Sequence, residues 1–383
     1  LDHATASVPF YRSLKSAEFR SFPVTSKSEI KQDYNLYLSD RYDPKKLHWV
    51  KTSGSSGTPF DFALDIKKKT IRTAEMIFYN GWAGYNLGDH IVVNAVGAHK
   101  SLFARIGQRC TLTDPTYIDD IWHEKQRGEL KKRSRKLLIC YASTLRSFTE
   151  YCRGKGDTRE SFNLKGIVCT SENLDSAAKR AAEVVFGCPV LSRYSSQETG
   201  VIAQECPIKG SLHLNCANYI VEILDMQSDS PAAPGEIGRL VVTDLFNYGL
   251  PLIRYDIGDL AIMNQSQCSC GSSGPILESL LGRKTENITT PDNKVISWVS
   301  INDMMWGFPE IKQFQFIQHD FDTYQLKLVL YRQDLQKELL LGKLDELLGK
   351  KAKIAVVIVS AIPQSGTGKT PYIVNKFVAN TVA

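Results

Sequence analysis

Two stretches of this 383-residue chain have the composition of a phosphate loop: KTSGSSGTPF at 51–60 and SAIPQSGTGKT at 360–370. The second ends in Gly368-Lys369-Thr370, but the Walker spacing demands a glycine where Pro363 stands. Proline has no N–H to offer a phosphate and cannot take the positive φ that glycine allows. Lys369 is therefore read as a lone amine. In the first stretch Thr52, Ser53, Ser55, Ser56 and Thr58 surround Gly54 and Gly57. Glycines let the backbone fold back with its N–H groups inward and the hydroxyls add donors, giving an anion cradle without a lysine. The same composition also suits a polar turn. Further reactive side chains lie in RYSSQETG (Tyr194, Ser195, Glu198), PLIRYDIGDL (Asp259) and LLGRKTEN (Arg283). Alone, each has a plainer reading: a turn aspartate, a carboxylate at a helix start, a surface amine. Cys206 and His213 in ECPIKGSLH, with Cys268 and Cys270 in CSCG, form a Cys₃His set of the kind that closes around structural zinc. A redox pair of Cys268 and Cys270 is the alternative.

Taken in order, TSGSSGTP, RYSSQETG, PLIRYDIGDL, LLGRKTEN and SGTGKT resemble the adenylate-forming superfamily of acyl- and aryl-CoA ligases. FPVTSKSEI, LGDHIVVN, CYASTLRSFTEY and LKGIVCTSENL extend the likeness over nearly the whole chain, which looks most like the phenylacetate-CoA ligase and CapK-like branch. The resemblance implies that Thr52 to Thr58 close over the β and γ phosphates of ATP and that Tyr194 stacks near adenine. Glu198 would hold Mg²⁺, Asp259 the ribose hydroxyls with Tyr255 in the same motif, and Arg283 a further ribose or phosphate contact. Ser171, Glu172 and Ser195 fall in the same nucleotide set. Lys369 would bridge the substrate carboxylate and the nucleotide. Acid-side candidates are Tyr79, Trp82 and His99. Some CapK-like relatives resemble the cysteine pattern too. The chain departs from the family at Phe60, where the loop commonly ends in lysine, at Gln197, commonly threonine, and at Thr285, commonly aspartate.

The implied reaction joins a carboxylic acid, aromatic by the branch resemblance, to ATP with release of pyrophosphate, then transfers the acyl group to coenzyme A. Carboxylate and phosphate repel each other, so a Mg²⁺ carboxylate and a mobile ammonium are the residue types such chemistry needs. Two other readings are aryl-acid adenylation in antibiotic (phenazine-type) biosynthesis, with a carrier protein or amine as acceptor, and a non-catalytic nucleotide-binding scaffold. A homodimer is compatible with either.

The elements that must position these residues alternate. LGDHIVVNAV, RKLLICYASTLRSFTEYCR and LKGIVCTSENLDSAAKRAAEVVFGCPVLSRYSS read as strand, helix and strand in succession. Their last helix is expected to be capped at Asn173 or Asp175 and to end at Gly187. The expected fold is α/β: a large N-terminal adenylate-forming domain (1–282) with mixed and parallel sheets, and a small mobile α+β domain (283–383) carrying Lys369. Shorter strands follow residue 210, and the polar stretch 280–294 reads as a hinge. Hydrophobic residues make up 43% and charged residues 23%, with a net charge of +6, an ordinary globular balance. The basic run KQRGELKKRSRK (125–136) reads as a solvated helix face, and no nucleic acid or membrane is expected as a partner. Nine cysteines at low density and no basic-then-apolar leader pattern suggest a cytoplasmic setting. Cys110, Cys140, Cys152, Cys169 and Cys188 read as small core residues.

Overall fold

The computed structural model describes residues 1–14, 18–51, 60–96, 102–107, 109–132, 134–264, 266, 268–272, 274–283, 288–292, 294–296, 298–305, 307–332, 334–363 and 372–377. The loop from Thr52 to Thr58, His99, Thr285 and Lys369 lie outside these residues.

The chain opens with α1 (Asp2–Ser7), β1 (Thr25–Ser26), α2 (Lys27–Gln32) and α3 (Tyr34–Tyr37). A two-stranded ribbon, β2 (His48–Lys51) with β3 (Asp61–Leu64), leads into the long helix α4 (Ile66–Trp82). The Asp65 side chain caps α4 by accepting from the Lys68 N–H at 2.8 Å. Then come β4 (His90–Asn94), α5 (Leu102–Gly107), β5 (Cys110–Thr113), α6 (Asp120–Lys131) and β6 (Lys136–Cys140). They are followed by α7 (Ala142–Gly154), β7 (Leu164–Thr170), α8 (Ser176–Phe186) and β8 (Val190–Ser196). Asp175 caps α8 and Gly187 ends it at φ 63°, the left-handed conformation that glycine adopts without a Cβ clash. These strands pair in parallel in the order β5-β4-β6-β7-β8. Every residue of β6 is buried, because helices cover both faces of the sheet. Leu138, Cys140, Ile167 and Cys169 pack with α7 and α8, while Leu137, Ile139 and Val168 face the side of Met76, Trp82 and Ala83 at the end of α4.

At β8 the sheet changes direction. β9 (Gly200–Glu205) runs antiparallel to it, and β10 (Leu212–Leu214), β11 (Tyr219–Leu224), β12 (Gly238–Asp244), β13 (Tyr255–Met263) and β14 (Ile276–Arg283) continue antiparallel. β10 joins β9 to β14, and β1 adds in parallel to β13, completing a 12-stranded sheet.

The second unit has its own core. β15 (Ile288–Thr289) pairs with β16 (Val295–Ile296), and α9 (Trp298–Met305) precedes β17 (Ile311–Gln318) and β18 (Thr323–Leu330). Helix α10 (Lys337–Leu348) buries Leu340, Leu344 and Leu348 at i, i+4 spacing, before β19 (Lys353–Ile358) and β20 (Ile373–Asn375). The four-stranded sheet is ordered β19-β18-β17-β20 around Phe314, Phe316, Leu326 and Leu328. The Tyr331 hydroxyl donates to Glu150 of α7 at 2.9 Å, joining the two units.

The hinge expected over 280–294 is narrower in the structure. Leu280–Arg283 complete β14, because Arg283 pairs across the ladder with Asp259. Within the basic run, Arg127 and Lys131 both reach the Asp157 carboxylate. No helix among the described residues is long and apolar enough to cross a membrane. Where α4 ends on β7, a Cβ at Gly166 would lie 2.0 Å from the Ala83 carbonyl oxygen, backbone that cannot swing aside. Gly166→Ala should therefore cost about 1–3 kcal/mol by overpacking, read as a lower urea midpoint at unchanged m-value. Gly81→Ala, with nothing within 4 Å, serves as the control.

Candidate functional site

The turn between β8 and β9 carries Glu198, and the end of β8 carries Tyr194 and Ser195. Tyr194 donates its phenolic proton to Asp259 on β13 at 2.5 Å, and Arg283 lies opposite Asp259 on β14. Three separate motifs thus meet where the strand direction switches. Burial pushes the Asp259 carboxyl up, against the lowering effects of the Tyr194 hydrogen bond and the Arg283 charge, while Glu198 adds to the rise. Tyr194 is pushed well up by burial and by Asp259. Tyr255, 1% exposed, feels the same groups, with Glu198 the largest charge acting on it. Glu198 is 7% exposed, and among the described residues no hydrogen-bond donor reaches its carboxylate. A largely buried carboxylate is stabilised by positive charge; Lys27 supplies some of it, and the carboxylate oxygens are of the type that could hold Mg²⁺.

The carboxyl end of β7 lies alongside. Thr170 and Ser195 hydroxyls are 3.2 Å apart. Ser171 sits at φ 66°, a left-handed conformation unusual for serine and a mark of a constrained turn. Glu172 accepts from the Ser143 N–H at the start of α7 at 2.8 Å. Tyr372, at the edge of β20, is surrounded by the charges of Glu172, Arg146 and Asp175. At the other end of β9, the ligand atoms of Cys206, His213, Cys268 and Cys270 lie within 4.8 Å of one another. Cys270 Sγ and His213 Nε2 are 3.5 Å apart. A tetrahedral ion with bonds of about 2.3 Å to sulfur and 2.0–2.1 Å to nitrogen would set them about 3.5 Å apart, so the donor set fits zinc. The Cys270 N–H, with His213, brings the Cys268 thiol down to about 6 despite desolvation, the direction a thiolate ligand requires.

The comparisons with known proteins follow this geometry. A family model described as CapK C-terminal domain matches residues 288–376. Over 376 residues the chain is 22% identical to Protein CapK of Staphylococcus aureus, covering 94% of this chain and 80% of that one. It is 22% identical over 324 residues to phenylacetate-coenzyme A ligase of Thermus thermophilus, covering 77% and 68%. Among solved structures it superposes on 2-hydroxyisobutyryl-CoA ligase in the postadenylation state with R3-HIB-AMP. There the TM-score is 0.75 at 17% identity, over 100% of this chain and 88% of that one. ATP-bound MatB from Rhodopseudomonas palustris gives a TM-score of 0.65 at 17% identity, over 90% and 69%. In sequence the chain thus resembles Protein CapK and phenylacetate-coenzyme A ligase, and its fold is that of the CoA ligases.

Of the residues expected at the site, Tyr194, Glu198, Tyr255, Asp259 and Arg283 come together, and Ser195, Ser171 and Glu172 border them. Tyr79 and Trp82 do not join them. Tyr79 is buried between α4 and β9, with its carbonyl accepting from Gln204 at 2.6 Å. The Trp82 ring stands edge-on to His213, centroids 5.7 Å apart. Among the described residues, Tyr79 thus packs in the core and Trp82 against the cysteine cluster, apart from the Tyr194–Asp259 group. Lys27 was missed. Its Ser26 cap starts α2, and β1–β13 pairing sets Ser26 opposite Asp256, close to Asp259 in the strand. The Lys27 ammonium lies 5.4 Å over the ring of Phe60. Burial lowers its proton affinity, Glu198 raises it, and Arg283 and Lys31 lower it. The signal was the TSK step at a capped helix start, which alone looks like an ordinary surface lysine.

A raised carboxyl in the folded state stabilises the protein fully only below the unfolded aspartate value, about 3.9. That contribution is lost as pH climbs through the folded value. Asp259→Asn, which can still accept from Tyr194, should therefore gain melting temperature on the parent as pH rises from about 4 toward neutrality. Parallel melts across that range would show a constant or shrinking difference if the carboxylate were not strained by burial.

Proposed function

We propose that the protein is an adenylate-forming ligase that activates an aromatic carboxylic acid as its acyl-adenylate and passes the acyl group to the thiol of coenzyme A. The observation that carries this reading is the meeting of Tyr194, Asp259, Arg283 and Glu198 at the sheet's direction switch. The aromatic class rests on similarity to phenylacetate-coenzyme A ligase. In the first half-reaction a carboxylate oxygen bonds to the α-phosphorus of ATP. The bond to the bridging oxygen breaks, and its electron pair leaves with pyrophosphate. In the second, the coenzyme A sulfur gives up its proton and bonds to the acyl carbon, and AMP departs with the electron pair of the broken carbon–oxygen bond.

Asp259, held by Tyr194, would accept the ribose hydroxyls, with Arg283 beside it to keep the carboxylate charged. Lys27 adds a cation next to Phe60, offsetting the lysine that the loop lacks there, which favours catalysis over a scaffold role. A Mg²⁺ ion on Glu198 would supply charge to offset repulsion between carboxylate and phosphate. Cys206, His213, Cys268 and Cys270 would hold a structural zinc that ties the end of β9 to β10 and to the β13–β14 connection. The free thiols of the chain support a reducing, cytoplasmic setting. We infer that the small unit begins after Arg283 and delivers Lys369. Tyr372, the described residue nearest to Lys369 on its C-terminal side, already lies among Glu172, Arg146 and Asp175.

Acid-dependent exchange of labelled pyrophosphate into ATP, screened with aryl and alkyl acids, tests the reading. Lys369→Ala should cut exchange by about 100-fold or more, on the scale of a lost transition-state charge contact, while ATP affinity measured by calorimetry changes little. Unchanged exchange would remove Lys369 from the chemistry. For the metal, elemental analysis should find about one zinc per chain, lost in Cys268→Ser together with thermal stability. A metal-free parent of equal stability would leave the cysteines without that role.

A further inference from the structure

Glu198 is held from beneath by groups that never touch its carboxylate. The Gln197 carbonyl accepts from Arg72 Nη1 at 3.0 Å and the Thr199 carbonyl from the Tyr219 hydroxyl at 2.6 Å. The Val201 N–H donates to Glu75 Oε1 at 2.9 Å, and the Val201 carbonyl accepts from Asn215 Nδ2 at 2.9 Å. Backbone on both sides of Glu198 is thus pinned by side chains from α4 and from the β10–β11 region. Gly200, at φ 120°, is required for this approach, since a Cβ there would lie 1.9 Å from Glu75 Oε1. The pins are themselves fixed. Glu75 Oε2 accepts from Asn218 at 2.8 Å and Asn215 at 3.2 Å. The Tyr219 oxygen accepts from Lys68 Nζ at 2.8 Å, and that ammonium pairs with Asp244 at 2.7 Å, both side chains wholly buried.

Burying an ion pair is weak evidence for stability, because desolvation consumes most of the attraction; its better-supported use is to specify one arrangement. Here the bonds converge, directly or through Tyr219 and Glu75, on the turn bearing Glu198 and its flank. We propose that Tyr219 and Glu75 are positioning residues for the metal-binding carboxylate, with the Lys68–Asp244 pair fixing Tyr219 and Arg72 steadying the turn from the surface. This rests on the reading of Glu198 as the Mg²⁺ carboxylate. The site then splits its duties. The Tyr194–Asp259–Arg283 side grips nucleoside through strand pairing, whereas the reach of Glu198 to a phosphate-bound cation is set by α4 together with Tyr219 of β11.

The test is calorimetric titration with ATP, in excess Mg²⁺ and in chelator, on the parent, Glu198→Gln, Tyr219→Phe and Arg72→Ala. The parent should bind ATP more tightly with Mg²⁺, and Glu198→Gln should abolish that gain. Tyr219→Phe should lose about tenfold of it, the scale of a hydrogen bond to a charged group or one left buried and unmade. Its metal-free affinity should stay at the parent's value, and faster amide exchange should appear at Thr199 and Val201. Arg72→Ala, at the protein surface where folding is not at stake, should lose about twofold to fivefold, the scale of a single net hydrogen bond. A parent gain that survives in Glu198→Gln would overturn the metal reading of Glu198 and the brace with it. A gain that vanishes in Glu198→Gln but persists in full in folded Tyr219→Phe would overturn the brace alone. If Tyr219→Phe does not fold, an unchanged gain in Arg72→Ala overturns it.

Discussion

The ammonium of Lys68 sits in the interior, against Asp244 of β12 and the hydroxyl of Tyr219 of β11. An unpaired charge there would be prohibitive, so the helix that carries it can occupy only the position in which both partners are met. That constraint seats α4 on the antiparallel half of the sheet, while Ala83 and Trp82 at its other end pack on the parallel half. One helix therefore sets the two halves of the sheet against each other. The turn through which they join, from Ser196 to Gly200, is held by Arg72 of the same helix and by Tyr219, with Glu75 of the helix fixing Val201 just beyond it.

The direction switch at β8 explains why the candidate nucleotide residues are scattered through the chain yet adjacent in space. Parallel strands deliver their carboxyl ends, Thr170 to Glu172 and Tyr194 to Ser196, to one edge, as is usual for ligand sites in α/β sheets. Antiparallel strands bring Asp259 and Arg283 to the same place by ladder pairing. The cluster holds carboxylates at Glu198 and Asp259 and cations at Lys27 and Arg283, partly withdrawn from water. Such an arrangement is costly in isolation and is relieved by ligands carrying both signs of charge, as a metal-bound nucleotide does.

Away from this cluster the fold is held by different means. The cysteine cluster joins connections between strands, and among the described residues Ile276 is the buried aliphatic side chain packed with Cys206 and Cys268. The small unit instead buries a continuous apolar core between α10 and its sheet, and so has its own reason to fold as a body. It meets the large unit at the exposed Tyr331–Glu150 hydrogen bond and where Tyr372 lies near Arg146 of α7, and the first of these is a link that can be remade in another orientation at little cost.

Much of this was legible in the sequence because it is local. Strand and helix alternation, the Asp175 cap and the Gly187 stop depend on neighbours within a turn or two, and the ordered motifs RYSSQETG, PLIRYDIGDL and LLGRKTEN carry their own turn chemistry. The fate of Tyr79 and Trp82 was not legible, since an aromatic helix face looks the same whether it lines a pocket or a core. Nor was Lys27, whose meeting with Glu198 depends on the pairing of β1 with β13. Lys67, Lys68 and Lys69 make the point most plainly. In sequence they are three equivalent lysines at the start of a helix. Only the packing of α4 over Asp244 and Tyr219 decided that the middle one is buried and its neighbours face water, because burial of a charge is governed by partners that the chain supplies from far away.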